Sequence, residues 1–511
     1  MAAGGEHAMR LAVIGGGAAA VSLLDSMLRL FEGEERRCDI TVYEGSANLA
    51  TGRAYRPDLD CALVNREAGY MSVRCADRGH FLRWLHREPR YQDTSYASLP
   101  VDSYVPRRIY GEYLTAHLKT CRADAERRGW TVRVVPEFAV EAKATADDVM
   151  VRSARGVSHF DRVVLCLGTG EPADPYLLTG APGFHPDPYP LRSVLPAIAA
   201  DAHVLVLGTG LSGVDVALAL LRSGHHGPIT MTSRHGLLPG VRATQRTYEL
   251  SHLTPDAVRR RVARDGALRV QDTLRLLRDE LTAAGVDLRA LTADRPAAER
   301  LREDLSRLDH NACQAAVGAM MHQAREPVWC AMSDVGRRLF LSRFHALSKP
   351  LYNPMPPPTA KALLDAMDSG QLAVRPRTAG VTARAGGGFT LEDGGGRLTG
   401  VDTVVDATRS GLAVTGSRAE PFVDSLTGSG LAVRNPLGGL RIDVAGNALR
   451  AVVPEDVPRF FALGDIASGD LFYAGSMYMI NVRAEMIARA LAHAPAPAPA
   501  PAPAPPPNGR S

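Results

Sequence analysis

The sequence contains few cysteines, and no two of its seven are spaced C-x-x-C. An odd number of cysteines without a regular spacing is typical of reduced thiols inside a cell rather than of a disulfide framework. The missing C-x-x-C pair also argues against the active site of a disulfide reductase. We therefore expect a cytoplasmic protein whose chemistry does not depend on paired cysteines.

Excess charge and long apolar runs are missing as well. The net charge is +4 over 511 residues, and only four of the 59 basic residues are lysines. So small an excess gives no case for binding nucleic acid or an acidic membrane surface. No stretch approaches the ~18 uninterrupted apolar residues of a transmembrane helix. We expect neither nucleic acid nor a membrane as a partner, and the sequence leaves homo-oligomer formation open.

Near its beginning the sequence contains a glycine-rich turn between a predicted strand and a predicted helix. The apolar residues Leu11–Ile14 have the length of a buried parallel strand, and residues 15–20 then fit the pattern G-x-G-x-x-A. In that pattern Gly15 permits a tight turn, Gly17 lets the backbone approach a pyrophosphate, and Ala20 lets the helix pack closely. The N-terminus of the helix would attract the phosphates. This stretch predicts a dinucleotide site.

The second predicted strand, residues 39–44, ends in an acidic side chain. Glu44 lies 29 residues after Gly15, beyond the usual spacing of about 20 residues, and the polar loop 33–37 can absorb the excess. A carboxylate at this position can accept hydrogen bonds from a ribose diol. The alternative is an exposed glutamate at the end of a strand with no ligand.

A second glycine turn follows the predicted strand 203–207 and fits the full pattern G-x-G-x-x-G with Gly208, Gly210 and Gly213. A predicted helix comes directly after it. Two fingerprints, each between a strand and a helix, are much stronger evidence for nucleotide binding than one.

The strand after the second turn, residues 229–232, ends in Ser233 and Arg234 instead of a carboxylate. A carboxylate would repel a 2′-phosphate, whereas arginine and serine would bind it. We therefore predict NADPH rather than NADH at this site. The alternative is that Arg234 is a solvated loop residue.

Further segments carry a family resemblance. They are A-T-G-R-A-Y at 50–55, L-V-N-R-E-A-G-Y-M-S at 63–72, G-T-G at 168–170, V-P-R-R-I-Y-G-E-Y-L at 105–114 and G-D at 464–465. Together with the two glycine turns, they resemble two-dinucleotide-binding flavoproteins. More narrowly, the chain resembles the bacterial FAD/NAD(P)-binding family named after a urate hydroxylase-like domain.

The resemblance implies an α/β fold with two Rossmann-like domains, one for FAD and one for NADPH. FAD would lie on the first glycine turn, with Asp465 binding its ribityl chain. Asn65, Met71 and Ser72 would lie near the flavin, and Arg107 near the adenine half. The resemblance implies no metal.

The predicted domain division follows from the positions of the two turns and from a long helical pattern that interrupts the second domain. Such an insertion can carry substrate specificity or oligomer contacts, or be purely structural. We predict an FAD-binding domain in two parts (1–198 and 401–493), an NADPH-binding domain in two parts (199–245 and 348–400), a helical insertion (246–347) and a disordered Ala-Pro tail (494–511).

Some members of the family in natural-product and antibiotic biosynthesis N-hydroxylate amines, and include enzymes that resemble aspartate N-monooxygenases. The resemblance therefore implies a single-component monooxygenase in which NADPH reduces FAD, O₂ gives a C4a-(hydro)peroxide, and an amine attacks it. The product would be a hydroxylamine, then a nitroso or nitro compound. Alternatives are a flavin reductase, dehydrogenase or C-/S-oxygenase on the same scaffold, or a non-catalytic nucleotide-binding protein.

No catalytic triad stands out, which fits a reaction in which the cofactor performs the difficult chemistry. An amino-acid substrate would need an arginine for its carboxylate, because guanidinium binds carboxylate in a two-point fashion. Arg66 and Arg343 are the candidates. Asn65 and Asn353 are candidates for contact with the nicotinamide or the substrate, although Asn353 could also form a turn before Pro354.

Overall fold

The computed structural model describes residues 8–33, 36–170, 174–292, 295–376, 378–408, 417–453 and 457–493. The predicted Ala-Pro tail, 494–511, lies outside the described residues. Two parallel sheets, each followed at its carboxyl edge by one of the glycine turns, organise the described part of the chain. The predicted α/β class with two Rossmann-like units is confirmed.

The first sheet consists of five parallel strands. The central strand, Met9–Ile14, is buried on both faces because it consists almost entirely of apolar residues. Helices Ala18–Leu30, Arg107–Arg127 and Met477–Ala492 pack against this sheet. The strands lie in the order Phe460–Ala462, Arg162–Leu165, Met9–Ile14, Cys38–Tyr43 and Thr131–Val135.

The second sheet also has five parallel strands, with Val204–Leu207 at its centre. Helices Leu211–Arg222 and Pro357–Asp368 bury their apolar residues against it. The strand order is Leu372–Pro376, Ile229–Ser233, Val204–Leu207, Thr403–Asp406 and Phe184–His185.

The strand pairing corrects the predicted domain division. Thr403–Asp406 was assigned to the second part of the FAD-binding domain, and Phe184–His185 to its first part. Both strands pair within the second sheet, Thr403–Asp406 directly beside Val204–Leu207. The boundaries at 198 and 400 are therefore wrong, because a short apolar strand does not indicate which of two parallel sheets it will join.

Two small antiparallel sheets accompany the parallel ones. One of them is a three-stranded sheet between residues 378 and 401. Its strands are Thr378–Ala383, Phe389–Asp393 and Leu398–Val401, and those of the other sheet are Glu141–Ala144, Val149–Ser153 and Gly156–Phe160.

The predicted insertion is helical, and its helices continue to Tyr352. Its apolar core surrounds Trp329, whose ring lies 4.8 Å from that of Phe472 and whose indole N–H donates to Gly469 O at 3.0 Å. The insertion therefore packs on the segment that follows strand Phe460–Ala462 of the first sheet. Its helices are Pro255–Asp265, Val270–Ala283, Leu288–Thr292, Ala297–Ser306, Ala312–Ala319, the π-helical turn Met320–Ala324, Arg325–Ala331, Asp334–Arg343 and His345–Tyr352.

The remaining helices are short, and they connect the larger elements. No helix among the described residues is long and apolar enough to span a bilayer. These helices are His80–Arg87, Leu191–Val194, Glu420–Gly428 and Ser468–Leu471, with 3₁₀ turns at Ala68–Tyr70, Pro89–Tyr91, Ser95–Ser98, Leu195–Ala197 and Asp465–Ala467.

A buried ionic cluster around Asp25 ties the first helix to its neighbours. Oδ1 of Asp25 accepts hydrogen bonds from His117 Nε2 and Arg74 Nη2, both at 2.8 Å, and Oδ2 accepts one from Arg29 Nε at 2.8 Å. Burial by itself raises the pKa of Asp25, but the bonds from His117 and Arg74 outweigh it, so the pKa lies well below its usual value. Asp25 is thus a buried anion that its cations keep charged.

We expect Asp25→Asn to destabilise the protein by about 3 kcal/mol or more at pH 7, because the arginines lose a buried counter-charge. A lowered carboxyl pKa contributes stability above the unfolded value, about 3.9, and that contribution is lost as the pH falls through the folded value. The difference between the wild-type and variant urea midpoints should therefore shrink below about pH 4.

Asp124→Asn is the matched control, because Asp124 and its partner Arg127 are 36% and 77% exposed. Removal of such a surface pair should change the free energy of unfolding by less than about 1 kcal/mol. If the difference between the urea midpoints of the wild type and Asp25→Asn stayed constant from pH 7 to pH 3, Asp25 would not be the buried anion that we describe.

Candidate functional site

The first glycine turn has the shape that a dinucleotide requires. Gly15 has φ +100°, and a Cβ added to it would lie 2.3 Å from Cys166 O on the adjacent strand. Gly17 precedes helix Ala18–Leu30 and faces Gly52, which a Cβ on Gly17 would approach to 3.3 Å. Ala20 is buried against the sheet. The backbone N–H groups at the start of this helix are thus accessible only because side chains are missing here.

Glu44 lies directly beside this turn. Its Oε2 accepts a hydrogen bond from Gly16 N at 2.9 Å, and its Oε1 accepts one from Ser46 N at 2.8 Å. Glu44 therefore fixes the turn, and its carboxylate is half-buried rather than freely solvated. Its predicted contact with a ribose stays a prediction.

Asp465 lies at the same edge of the first sheet. Strand Phe460–Ala462 is parallel to Arg162–Leu165, which in turn neighbours the strand before Gly15, so all three strand ends meet. Asp465 is 8% exposed, and a Cβ on Gly475 would lie 2.3 Å from its Oδ1. The carboxylate is positioned at the carboxyl edge, where open α/β sheets bind ligands.

The second glycine turn repeats the geometry of the first. Gly208 has φ +103°, and a Cβ added to it would lie 2.9 Å from Ala407 O. A Cβ on Gly213 would lie 2.1 Å from Gly208 O, so the helix packs against the turn. In both turns the glycines leave the backbone free of side chains at the place where a pyrophosphate would lie.

The residues around the second turn bear on the NADPH prediction. Ser233 Oγ lies 2.8 Å from Thr209 Oγ1 and accepts from Gly236 N at 3.1 Å, so it stabilises the loop. Arg234 is exposed at the end of the strand. A Cβ on Gly210 would lie 3.8 Å from Lys349 Nζ. The sequence analysis missed Lys349, although its rarity in so arginine-rich a chain was a signal.

Three polar side chains from distant parts of the chain converge in a further cluster. Asn65 Nδ2 donates to Asn353 Oδ1 at 2.9 Å, and Tyr473 OH donates to the same oxygen at 3.0 Å. We call Asn65, Asn353 and Tyr473 the central polar cluster. The structure thus unites the candidates Asn65 and Asn353, and it adds Tyr473, which the sequence analysis missed.

The backbone at Tyr473 is strained. Phe472 and Tyr473 have φ +47° and +59°, a left-handed conformation that costs a non-glycine residue about 1–2 kcal/mol. Such strain persists where the surroundings enforce it, often at functional sites. Here the ring of Phe472 is held by Trp329, which directs the next side chain, Tyr473, towards Asn353.

Residues 12–170 match the FAD-NAD(P)-binding family. The matched segment contains the first glycine turn, Glu44 and Asn65. None of the curated proteins compared matches the chain.

Solved structures share the fold over almost the whole chain. The reduced form of ornithine hydroxylase from Pseudomonas aeruginosa is 14% identical with a TM-score of 0.58, covering 95% of this chain and 99% of its own. L-lysine 6-monooxygenase from Pseudomonas syringae is 15% identical with a TM-score of 0.57, covering 95% and 99%. The cadaverine monooxygenase of desferrioxamine biosynthesis from Erwinia amylovora, bound to FAD, is 11% identical with a TM-score of 0.58, covering 94% of both chains.

The other residues predicted near the flavin have mainly structural contacts. Met71 belongs to the apolar core of the first domain. Ser72 is buried, and its hydroxyl donates to Asp77 O at 2.8 Å while its carbonyl accepts from Asn481 Nδ2 at 2.6 Å. Their backbone shapes the loop that carries Asn65, and direct contact with a flavin stays a prediction.

Arg107 joins the two nucleotide domains. Its Nη2 lies 2.6 Å from Asp215 Oδ2 on the helix after the second glycine turn, and its Nη1 donates to Tyr189 OH at 3.0 Å. Its Nε donates to Leu63 O at 3.1 Å. Burial raises the pKa of Asp215, and the charge of Arg107 opposes that shift. The guanidinium is thus already engaged, and contact with the adenine half of FAD stays a prediction.

The two arginines predicted to bind a carboxylate are both exposed. Arg66 stacks over the ring of Tyr70 at 5.6 Å from its centroid, next to Asn65. Arg343 ends helix Asp334–Arg343 in the insertion. The structure therefore places Arg66 beside the central polar cluster, whereas none of the contacts described for the cluster involves Arg343.

Among the described residues, Asp25, His117 and Cys121 form a group with the geometry to hold a metal ion. Both carboxylate oxygens of Asp25 already accept hydrogen bonds from arginines. Arginine neighbours oppose a further cation, so we assign the group to the ionic cluster of the fold.

Proposed function

We propose that the protein is an FAD- and NADPH-dependent monooxygenase that N-hydroxylates the primary amine of an amino acid, with aspartate as the best candidate. The observation that carries the proposal is the central polar cluster, in which Asn65, Asn353 at the end of the insertion and Tyr473 meet in a protein with two intact glycine turns. The fold shared with monooxygenases of ornithine, lysine and cadaverine supports it.

In the proposed reaction the amine, O₂, NADPH and one proton give a hydroxylamine, water and NADP⁺. FAD, when bound, supplies hydride transfer and oxygen activation. The protein residues bind and orient the reactants: Asn65, Asn353 and Tyr473 provide amide and hydroxyl groups at the place where the substrate amine would lie. The amine must be neutral to attack, so removal from water would favour the reactive form.

Further rounds of the same oxidation would lead to a nitroso or nitro product, as in natural-product and antibiotic biosynthesis. All seven cysteines are free thiols, which supports a reducing cytoplasmic location for the enzyme. We propose no nucleic acid or membrane partner.

The test begins with the absorbance spectrum of the purified protein, which should show bound or bindable flavin. NADPH and O₂ consumption are then measured with aspartate, glutamate, lysine, ornithine and simple amines, and hydroxylamine and nitrite are assayed. Amine-dependent hydroxylamine supports the proposal. NADPH oxidation without any oxidised amine would favour a flavin reductase or a C-/S-oxygenase, and failure to bind flavin would exclude all of these enzymes.

For the coenzyme, we expect Arg234→Ala to raise the KM for NADPH at least about tenfold and to leave the KM for NADH almost unchanged. The reason is that one charge-assisted hydrogen bond to the 2′-phosphate contributes about 1.5–3 kcal/mol. Steady-state kinetics with both coenzymes measure the two changes in KM.

Arg222→Ala is the control, since Arg222 lies at the C-terminal end of helix Leu211–Arg222, the end away from the second glycine turn. Equal effects of Arg234→Ala on both coenzymes would refute the assignment of this residue.

A further inference from the structure

Arg242 lies at the edge of the central polar cluster with an incompletely satisfied guanidinium. Its Nη2 donates to Asn65 O at 2.9 Å. Its Nε is shielded from solvent and has no hydrogen-bond partner among the described residues. Burial lowers the pKa of Arg242, and the neighbouring charge of Arg66 lowers it further. The charge of Glu67 opposes these shifts, but no ion pair between Glu67 and Arg242 is formed among the described residues.

Arg325 approaches the same cluster from the insertion. It follows the π-helical turn Met320–Ala324, a geometry that is frequent at functional sites. Its Nη2 lies 2.7 Å from Met479 Sδ, which is only a weak acceptor, and its Nε is also shielded and unpartnered among the described residues. Its sequence neighbour Glu326 is bound to Arg483.

Tyr473 connects the two arginines. It lies close enough to both guanidiniums to raise the pKa of Arg242 and of Arg325, against the dominant effect of burial. Arg242 contacts the central polar cluster directly through Asn65 O, and Arg325 lies near the cluster member Tyr473.

The surroundings of this cluster are strongly cationic. Burial lowers the pKa of His322, and the charges of Arg78, Arg325 and Arg66 lower it further. Glu67 is buried on the Arg242 side, where Gln245 Nε2 donates to its Oε2 at 3.4 Å. Arginines therefore outnumber carboxylates around the centre, which favours an anionic ligand and opposes a second ammonium group.

We propose that Arg242 and Arg325 form a two-point carboxylate site that selects a dicarboxylic amino acid over a diamine or a basic amino acid. The inference rests on the proposed function for the location of the reacting amine, and it names the residues that choose the substrate class. Among the described residues neither Arg242 nor Arg325 forms an ion pair with a carboxylate, and each keeps a shielded Nε without a partner. A buried charge is normally paired, so a ligand carboxylate would supply the missing counter-charge. Two carboxylates would neutralise both guanidiniums, whereas ornithine, lysine or cadaverine would add positive charge.

The test uses succinate, a dicarboxylate without an amine, as a probe that cannot react. Calorimetric titration of the FAD-loaded protein should show succinate binding and no binding of 1,4-diaminobutane. Arg242→Met and Arg325→Met should each weaken succinate binding about tenfold to a hundredfold, the usual effect of losing a hydrogen bond to a charged group. Arg338→Met, which removes an exposed arginine of the same insertion, should leave it unchanged.

The flavin content and the melting temperature of each variant distinguish lost succinate binding from misfolding. If a methionine variant does not fold, Arg242→Lys and Arg325→Lys replace it, because they keep the positive charge. No succinate binding by the wild type, or equal binding by wild type and both variants, would overturn the proposal. Equally tight binding of inorganic phosphate would overturn the assignment to a dicarboxylate. These results are independent of turnover, so a failure of amine oxidation with intact succinate binding would instead reject the proposed function.

Discussion

Gly15→Ala is expected to yield a protein that no longer retains FAD on purification. The added methyl group would lie 2.3 Å from Cys166 O, a backbone atom in the centre of the first sheet that cannot move aside cheaply. Alanine is also strained at φ +100°. Overpacking costs about 1–3 kcal/mol and the backbone strain about 1–3 kcal/mol more, so the turn should shift away from its phosphate-binding shape. The flavin-to-protein absorbance ratio and the urea midpoint measure both effects.

Gly33→Ala is the matched control for backbone strain alone. Gly33 also has positive φ (+84°), but nothing lies within 4 Å of an added Cβ. This variant should lose about 1–2 kcal/mol of stability and keep its flavin. If Gly15→Ala retained flavin as well as Gly33→Ala does, the first turn would not be the seat of FAD.

Asp215→Asn is expected to destabilise the protein by about 3–5 kcal/mol, because it leaves the charge of Arg107 buried without its counter-ion. Both partners are well shielded, with side-chain exposures of 19% for Arg107 and 8% for Asp215. The pair connects the first domain to the helix after the second glycine turn, so its loss should also loosen the contact between the domains. Urea unfolding, with limited proteolysis for the domain contact, measures the two effects.

The double variant Arg107→Met with Asp215→Leu should recover much of that stability, since a buried ion pair can often be replaced by apolar residues of similar size. Asp279→Asn is the surface control, because Asp279 and Arg278 are 36% and 61% exposed. A single Asp215→Asn variant as stable as Asp279→Asn would show that Arg107 does not depend on this partner.

The proposed carboxylate site and the ion pair of Arg107 together explain how so arginine-rich a chain can be selective. Most arginines of the described residues lie at the surface, where they contribute little. Arg107 has a protein carboxylate as its partner, whereas neither Arg242 nor Arg325 forms an ion pair with a carboxylate among the described residues. The distinction between a structural and a ligand-binding arginine therefore depends on the partners that the fold supplies.

Both nucleotide turns could be predicted from the sequence alone. Each is encoded within a single strand–turn–helix unit, and the positive φ of Gly15 and Gly208 is a local requirement that glycine meets. The helical insertion was also predictable, because helical periodicity is a local property. The error in the domain boundaries has a different cause. The apolar pattern of Thr403–Asp406 predicts a strand, but the pairing of that strand with Val204–Leu207 joins segments about 200 residues apart.

The side chains that meet in the central polar cluster could not be predicted from the sequence. Asn65 and Asn353 are 288 residues apart, and Tyr473 lies 120 residues beyond Asn353. Their contact depends on how the two sheets are placed and how the insertion packs back through Trp329 and Phe472, which no short-range pattern encodes. The same holds for Arg242 and Arg325: sequence analysis could count the arginines, but only folding shows which of them are shielded from water and short of a partner.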